Sequence, residues 1–341
     1  MKKLAAIILL AALSLSITGC QSSGQDSNSS STDKSSNTSA AISAAEGSAQ
    51  SSADNSGAGS KYDFANYESK DIFDIEKVDL YAGSASYQQD LESKCTTYEF
   101  YFDSDGYKIK AYISIPAACI DSEKPCKCLL YNRGGHWNYG SLDPDVLSYI
   151  CAATGRIVVA CEIRGGNGSE GMDQFGGDEM HDVFRLIDLC EKKLSFVDMD
   201  DFCALGVSRG GMTTYMAARK DKRVRKIIVA SGISDLSASY KERDDMQEMI
   251  RDCIGGTPEE KPEEYKKRSA LYWADEIKIP VLIIHSKEDK QVKYETHAQA
   301  IYQKLKDSTD CTFITNEGDY HGINPDKSSQ DIPEILKFLQ K

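Results

Sequence analysis

The residues with the clearest capacity for chemistry are Ser208, Asp289 and His321, spread over the C-terminal half of a 341-residue chain. Ser208 is the centre of Gly206-Val207-Ser208-Arg209-Gly210, with apolar Ala204-Leu205 before it and Met212, Tyr215 and Met216 at helical spacing after it. A serine hydroxyl is a poor nucleophile unless it stands on a sharp turn, beside a base and near donors that receive the developing oxyanion. Strand, tight turn and helix provide that setting, and the N–H of Arg209 in the first helical turn is a natural oxyanion donor. An acid belongs just past a later strand: Asp289 or Glu288 could orient a histidine, and Asp289 is preferred. Of five histidines, only His297 and His321 follow the strand that bears the acid, and His297 falls inside a helical pattern. That leaves His321, in the loop Glu317-Gly318-Asp319-Tyr320-His321-Gly322, as the base. The chemistry of such a set is acyl transfer to Ser208 followed by hydrolysis, with no metal or cofactor expected.

The elements that must position these residues follow from the hydrophobic pattern. Residues 96–102 and 107–115 alternate across Asp103-Ser104-Asp105-Gly106 and read as an antiparallel hairpin. Short apolar, β-branched runs at 127–132, 156–163, 202–207, 226–230, 280–285 and 311–317 then alternate with helical patterns near 145–153, 178–193, 210–219, 292–306 and 330–340. Alternation of this kind implies a mostly parallel sheet covered on both faces, with function at the carboxyl ends of its strands. Past the first parallel strand, Arg133-Gly134-Gly135 is placed to add oxyanion donors. Past the second, Gly165, Gly168 and Gly171 lack the spacing of a phosphate loop, and Asp178 reads as a helix N-cap. Residues 240–254, with Met246, Met249, Ile250 and Cys253 at helical spacing, read as a small helical cap.

The N-terminus has a different composition. Met1-Lys2-Lys3, an apolar run over 4–15 and Ile17-Thr18-Gly19-Cys20 resemble a bacterial lipoprotein signal, in which Cys20 would be lipidated after cleavage. The run is too short to span a membrane. Residues 21–60 are dominated by Ser, Ala, Gly, Asn and Gln and read as a disordered tether, leaving 61–341 as one folded domain. The expected location is therefore the outer side of a bacterial cell membrane, reached only through the lipid. A formal charge of −13 argues against nucleic acid as a partner. Eleven cysteines without metal-ligand spacing read mostly as core residues, Cys128, Cys161, Cys190 and Cys203 among them. Cys126 and Cys128 share a strand face and cannot readily bond each other, whereas Cys119 and Cys126 bracket a turn and could be bridged.

The order Ser208, Asp289, His321 is that of nucleophile, acid and base in α/β-hydrolases. With Gly206-Val207-Ser208-Arg209-Gly210-Gly211, Arg268-Ser269-Ala270-Leu271-Tyr272, Ile279-Pro280-Val281-Leu282-Ile283-Ile284-His285, Arg164-Gly165-Gly166 and His321-Gly322, residues 95–341 resemble the catalytic domain of the prolyl oligopeptidase family. The resemblance implies an α/β-hydrolase fold: a mostly parallel twisted sheet, helices on both faces and a small cap insertion. It implies a serine hydrolase acting through an acyl-enzyme on peptide or ester bonds. Ser286 departs from the family, which usually has glycine there, and Arg133 stands where classical members carry an oxyanion-stabilising tyrosine, leaving backbone donors or the guanidinium. Only residues 61–94 precede the hairpin, too few for a β-propeller. The expected substrate is therefore a small acyl compound or short peptide. Carboxylesterase or carbohydrate acyl esterase activity is the alternative, and a non-catalytic binding protein on this fold is the reading from another class.

Overall fold

The computed structural model describes residues 63–81, 83–120, 122–324 and 329–341; the signal and tether readings, Cys20 included, lie outside the described residues. Nine strands form one sheet in the order β1-β2-β3-β5-β4-β6-β7-β8-β9. These are β1 (Ile72–Lys77), β2 (Cys95–Ser104), β3 (Tyr107–Pro116), β4 (Cys126–Asn132), β5 (Ile157–Cys161), β6 (Val197–Val207), β7 (Lys226–Ala230), β8 (Val281–Ser286) and β9 (Cys311–Asn316). The first three are antiparallel and β3 runs antiparallel to β5, while β5-β4-β6-β7-β8-β9 is parallel throughout. Asp105 and Gly106, both at positive φ, close the β2–β3 hairpin, which is why its two-residue turn fits the twist of the strands.

Alternate residues of the parallel strands feed two cores. On one face Leu130, Val159, Ala204, Val229 and Ile283 are buried against α4 (Met180–Lys193), α5 (Arg209–Lys220) and α9 (Ala300–Leu305). On the other, Leu129, Val158, Leu205, Ile228 and Ile284 meet α3 (Pro144–Thr154) and α10 (Asp331–Gln340). Two-sided burial explains why these strands read as continuous apolar runs. Two helices precede that set: α1 (Ala85–Lys94), which buries only Tyr87 and Leu91, and the single turn α2 (Ala117–Ile120). A disulfide joins Cys119 at the end of α2 to Cys126 at the start of β4.

The segment between β7 and β8 is the cap: α6 (Leu236–Glu242), a 3₁₀ turn (Asp244–Met246), α7 (Gln247–Ile254) and α8 (Pro262–Arg268). The expected helical stretch 240–254 is thus broken at Arg243, whose φ of −127° and ψ of 79° lie outside helical geometry. Met249, Ile250 and Tyr265 pack the cap onto Phe175, Met212, Ile233 and Val292, which follow β5, β6, β7 and β8 in the chain.

Two sequence expectations need correction here. Asp178 is not an N-cap: α4 begins at Met180, and the neighbouring Glu179 accepts hydrogen bonds from the N–H groups of Gly176 and Gly177. The helical pattern over 292–306 opens as a π turn (Tyr294–Gln299) before α9.

Candidate active site

Strand β6 delivers Ser208 into a turn at φ 58°, ψ −123°, a conformation that non-glycine residues seldom adopt, before α5 begins at Arg209. Close packing fixes that turn. A Cβ on Gly206 would run into the Gly210 carbonyl, and one on Gly210 into the carbonyl of Asn132 at the end of β4. The Ser208 N–H donates to the Ala230 carbonyl, and its own carbonyl accepts from Gly211 and Ile233. Nucleophile and β7 terminus are therefore one hydrogen-bonded unit.

Asp289 and His321 come together past β8 and β9. His321 Nδ1 lies 2.8 Å and 3.1 Å from the two carboxylate oxygens of Asp289, whose side chain is fully buried. A carboxylate only accepts, so Nδ1 carries the proton and Nε2 is left to act as the base. The N–H groups of Gln291 and Val292 also donate to Asp289. Burial alone would raise this carboxyl; the His321 hydrogen bond and charge, the Ser231 hydroxyl and the Val292 N–H outweigh it and hold it below the usual carboxylate range. Glu288, the competing acid, stands outside this pair. His285 donates Nε2–H to the Val292 carbonyl, and burial pushes its imidazole down to about 4, so it packs as a neutral ring. His297, set aside on sequence, is buried in the π turn, where its Nδ1 accepts from Ser234 N–H.

No hydrogen bond joins Ser208 Oγ to His321 among the described residues; such bonds commonly tighten only with substrate bound. What holds the two loops together is backbone and Ser231. Ser231 follows Ala230, and its Oγ accepts from the N–H of Gly322, next to His321, at 2.8 Å. Sequence reading passed over Ser231. Its only signal was position, one residue past a strand neighbouring the nucleophile.

The opposite wall is the loop 133–140. Gly134 lies against the nucleophile, since a Cβ there would come within 3.1 Å of Ser208 Cβ. The Arg209 N–H, in the first turn of α5, has no intrahelical acceptor. The guanidinium of Arg133 is not a donor to the site. It is 2% exposed, turned beneath the loop, 2.5 Å from the Glu162 carboxylate, and donates to the carbonyls of Gly134, Trp137 and Tyr139. Buried Glu162 draws it inward, because an unpaired buried carboxylate would be far more costly. The Arg209 side chain is likewise structural, bridging Asp173 and Glu179 at 2.7 to 2.8 Å. Gly135, at φ 75°, turns its carbonyl toward that guanidinium. Trp137 and Tyr139 carry exposed rings on this clamped loop.

The prolyl oligopeptidase family matches residues 144–341, more than half of the chain. The chain belongs to that family. It is a serine hydrolase on an α/β-hydrolase fold. A Bacillus subtilis relative described as uncharacterized peptidase YtmA is 31% identical over 210 residues, which are 61% of this chain and 79% of the relative. Among solved structures, Pyrococcus horikoshii acylaminoacyl peptidase superposes with a TM-score of 0.60 at 20% identity, over 70% of this chain and 40% of the peptidase. Acetyl xylan esterase 1 from Thermoanaerobacterium sp. superposes with a TM-score of 0.58 at 20% identity, over 82% of this chain and 93% of the esterase. At those identities the two structures speak to the fold.

Proposed function

We propose that this family member hydrolyses small acyl esters and short peptides through a Ser208 acyl-enzyme, with His321 as general base and Asp289 as its orienting acid. The observation that carries the reading is the buried Asp289 carboxylate on His321 Nδ1, hydrogen-bonded through Ser231 and Ala230 to the strained turn that presents Ser208. Gly134 and Arg209 would supply backbone N–H groups to the tetrahedral oxyanion, each worth about 3 kcal/mol in the transition state. With Arg133 turned inward, no side-chain donor is invoked on that wall. An oxyanion held by backbone donors alone favours reactive ester substrates over proline-specific cleavage. Peptide bonds remain the second reading, favoured by the relative described as a peptidase.

A fluorophosphonate probe should label the wild-type protein and not Ser208→Ala. In parallel, p-nitrophenyl acyl esters, acetylated sugars and aminoacyl or prolyl arylamides should rank with esters first. Arylamide turnover far above ester turnover, lost in Ser208→Ala, would make it a peptidase instead. We also propose an extracytoplasmic, lipid-anchored location. The Ile17-Thr18-Gly19-Cys20 motif supports it, and the Cys119–Cys126 disulfide is of the kind oxidising compartments sustain. Cys20→Ser should release the protein from the membrane fraction; retention there would exclude lipid anchoring.

A further inference from the structure

Ser231 is a fully buried serine at φ 47°, in the region that favours glycine, yet glycine stands only at the following position. Ser231 and the carbonyl before it link the turn of Ser208, strand β8 and the His321 loop. The preceding carbonyl, Ala230, receives the Ser208 N–H, and Ser231 N–H donates to Ile284 in β8, the strand that leads to Asp289. Its Oγ accepts from Gly322 N–H beside His321. The Ser231 hydroxyl is also among the groups that hold the Asp289 carboxyl below its usual range. A glycine would suit the backbone better and could not accept from Gly322.

We propose that Ser231 is a positioning residue that ties the His321 loop to the end of β7, where Ser208 is also held, fixing the imidazole over the nucleophile. This rests on the reading of Ser208, Asp289 and His321 as the catalytic set. Held there, the His321 loop keeps a fixed relation to the strand end that also anchors Ser208. Without the hydroxyl, Gly322 loses its acceptor, so the imidazole samples orientations that do not reach Ser208 Oγ. Displacements of about 1 Å in such groups lower rates by about 100-fold.

The test uses two variants of the full protein. Ser231→Ala removes the hydroxyl and keeps the backbone constraint; Ser231→Gly removes it and relaxes the positive φ, which keeps at least one variant folded. Both should lower kcat for a p-nitrophenyl ester by about 10- to 100-fold with KM within about threefold. The downfield proton resonance of the His321–Asp289 hydrogen bond should broaden or vanish in both. A merely structural role would lower the thermal transition while leaving kcat of the folded protein and that resonance unchanged, and this result would overturn the proposal. His321→Ala serves as the reference. If it retains turnover, the catalytic set fails and Ser231 with it. If it abolishes turnover while both Ser231 variants stay within twofold of wild type, the role of Ser231 alone fails.

Discussion

On one side of Ser208 the loop 133–140 is clamped by Arg133 on Glu162 and by Arg209 on Asp173 and Glu179, all buried and paired with one another. On the other side His321 is hydrogen-bonded to Asp289 and its neighbour Gly322 donates to Ser231, and the imidazole remains partly open to solvent at 16% exposure. The first wall uses full charges as scaffolding, and the oxyanion donors proposed there are backbone N–H groups. The second sets one buried carboxylate on an imidazole, with the backbone N–H groups of Gln291 and Val292 aiming it. A charged side chain near a nucleophile is thus no guide to catalysis. What matters is which way it is turned and what it is already paired with.

The largest effect should fall on the hydrogen-bonded wall. His321→Ala should lower ester turnover by a factor on the order of 10⁴ or more with little change in the thermal transition, and Asp289→Asn should cost about 10³ to 10⁴. Glu288→Gln should stay within about twofold, because its carboxylate is not the one on the imidazole. Inactivation by Glu288→Gln with Asp289→Asn unharmed would reverse the acid assignment. The same wall carries a pH signature. Asp289 titrates below its unfolded value of about 3.9, so its contribution to stability is complete above that pH and is lost as pH falls through the lower folded value. Asp173 on the clamped wall shifts the same way, its Arg209 partner outweighing burial. The thermal midpoint should therefore show no loss from these two groups above about pH 5 and a loss below about pH 4; a fall already at pH 6 would point to other groups.

The next effect distinguishes the walls. Arg133→Met strands Glu162, and Arg209→Met strands Asp173 and Glu179, so each should destabilise the fold by about 3 to 5 kcal/mol in urea titrations. The folded fraction should keep kcat within about tenfold, because the proposed oxyanion donors are backbone groups. A loss beyond 100-fold in Arg133→Met at unchanged stability would return the guanidinium to the oxyanion hole.

How much of this was legible beforehand depends on what each feature is made of. The parallel strands and their helices were visible because two-sided burial writes continuous apolar runs and 3.6-residue stripes. Strand β1 and helix α1 were not, since β1 is an edge strand with charges at Asp74, Glu76 and Lys77, and α1 buries only two side chains. Asp289 and His321 were identifiable by order and strand position, and the structure brings them together. The direction of Arg133 depended on Glu162, 29 residues further along the chain and unremarkable alone. Ser231 was hidden for a similar reason: a serine after a strand carries no pattern until the loops of β8 and β9 close on it.

The smallest effect concerns a region outside both walls. The Cys119–Cys126 disulfide closes a loop of sequence separation 7, between the end of α2 and the start of β4, at the opposite end of β4 from Asn132 and Arg133. Short loops restrict the unfolded chain least, so the chain-entropy account gives about 2 kcal/mol for its removal, with native contacts around Cys119 able to reduce that further. Cys119→Ser with Cys126→Ser should lower stability by about that amount or less. Ester kcat and KM should both be unchanged, because Cys126 sits six residues before Asn132 on a strand fixed by β5 and β6 over the intervening length. The double variant is thus a control for the two walls. If it altered kcat without altering the thermal transition, the carboxyl end of β4 would be responding to its amino end, and the oxyanion loop would not be as firmly held by Arg133 and Arg209 as their burial implies.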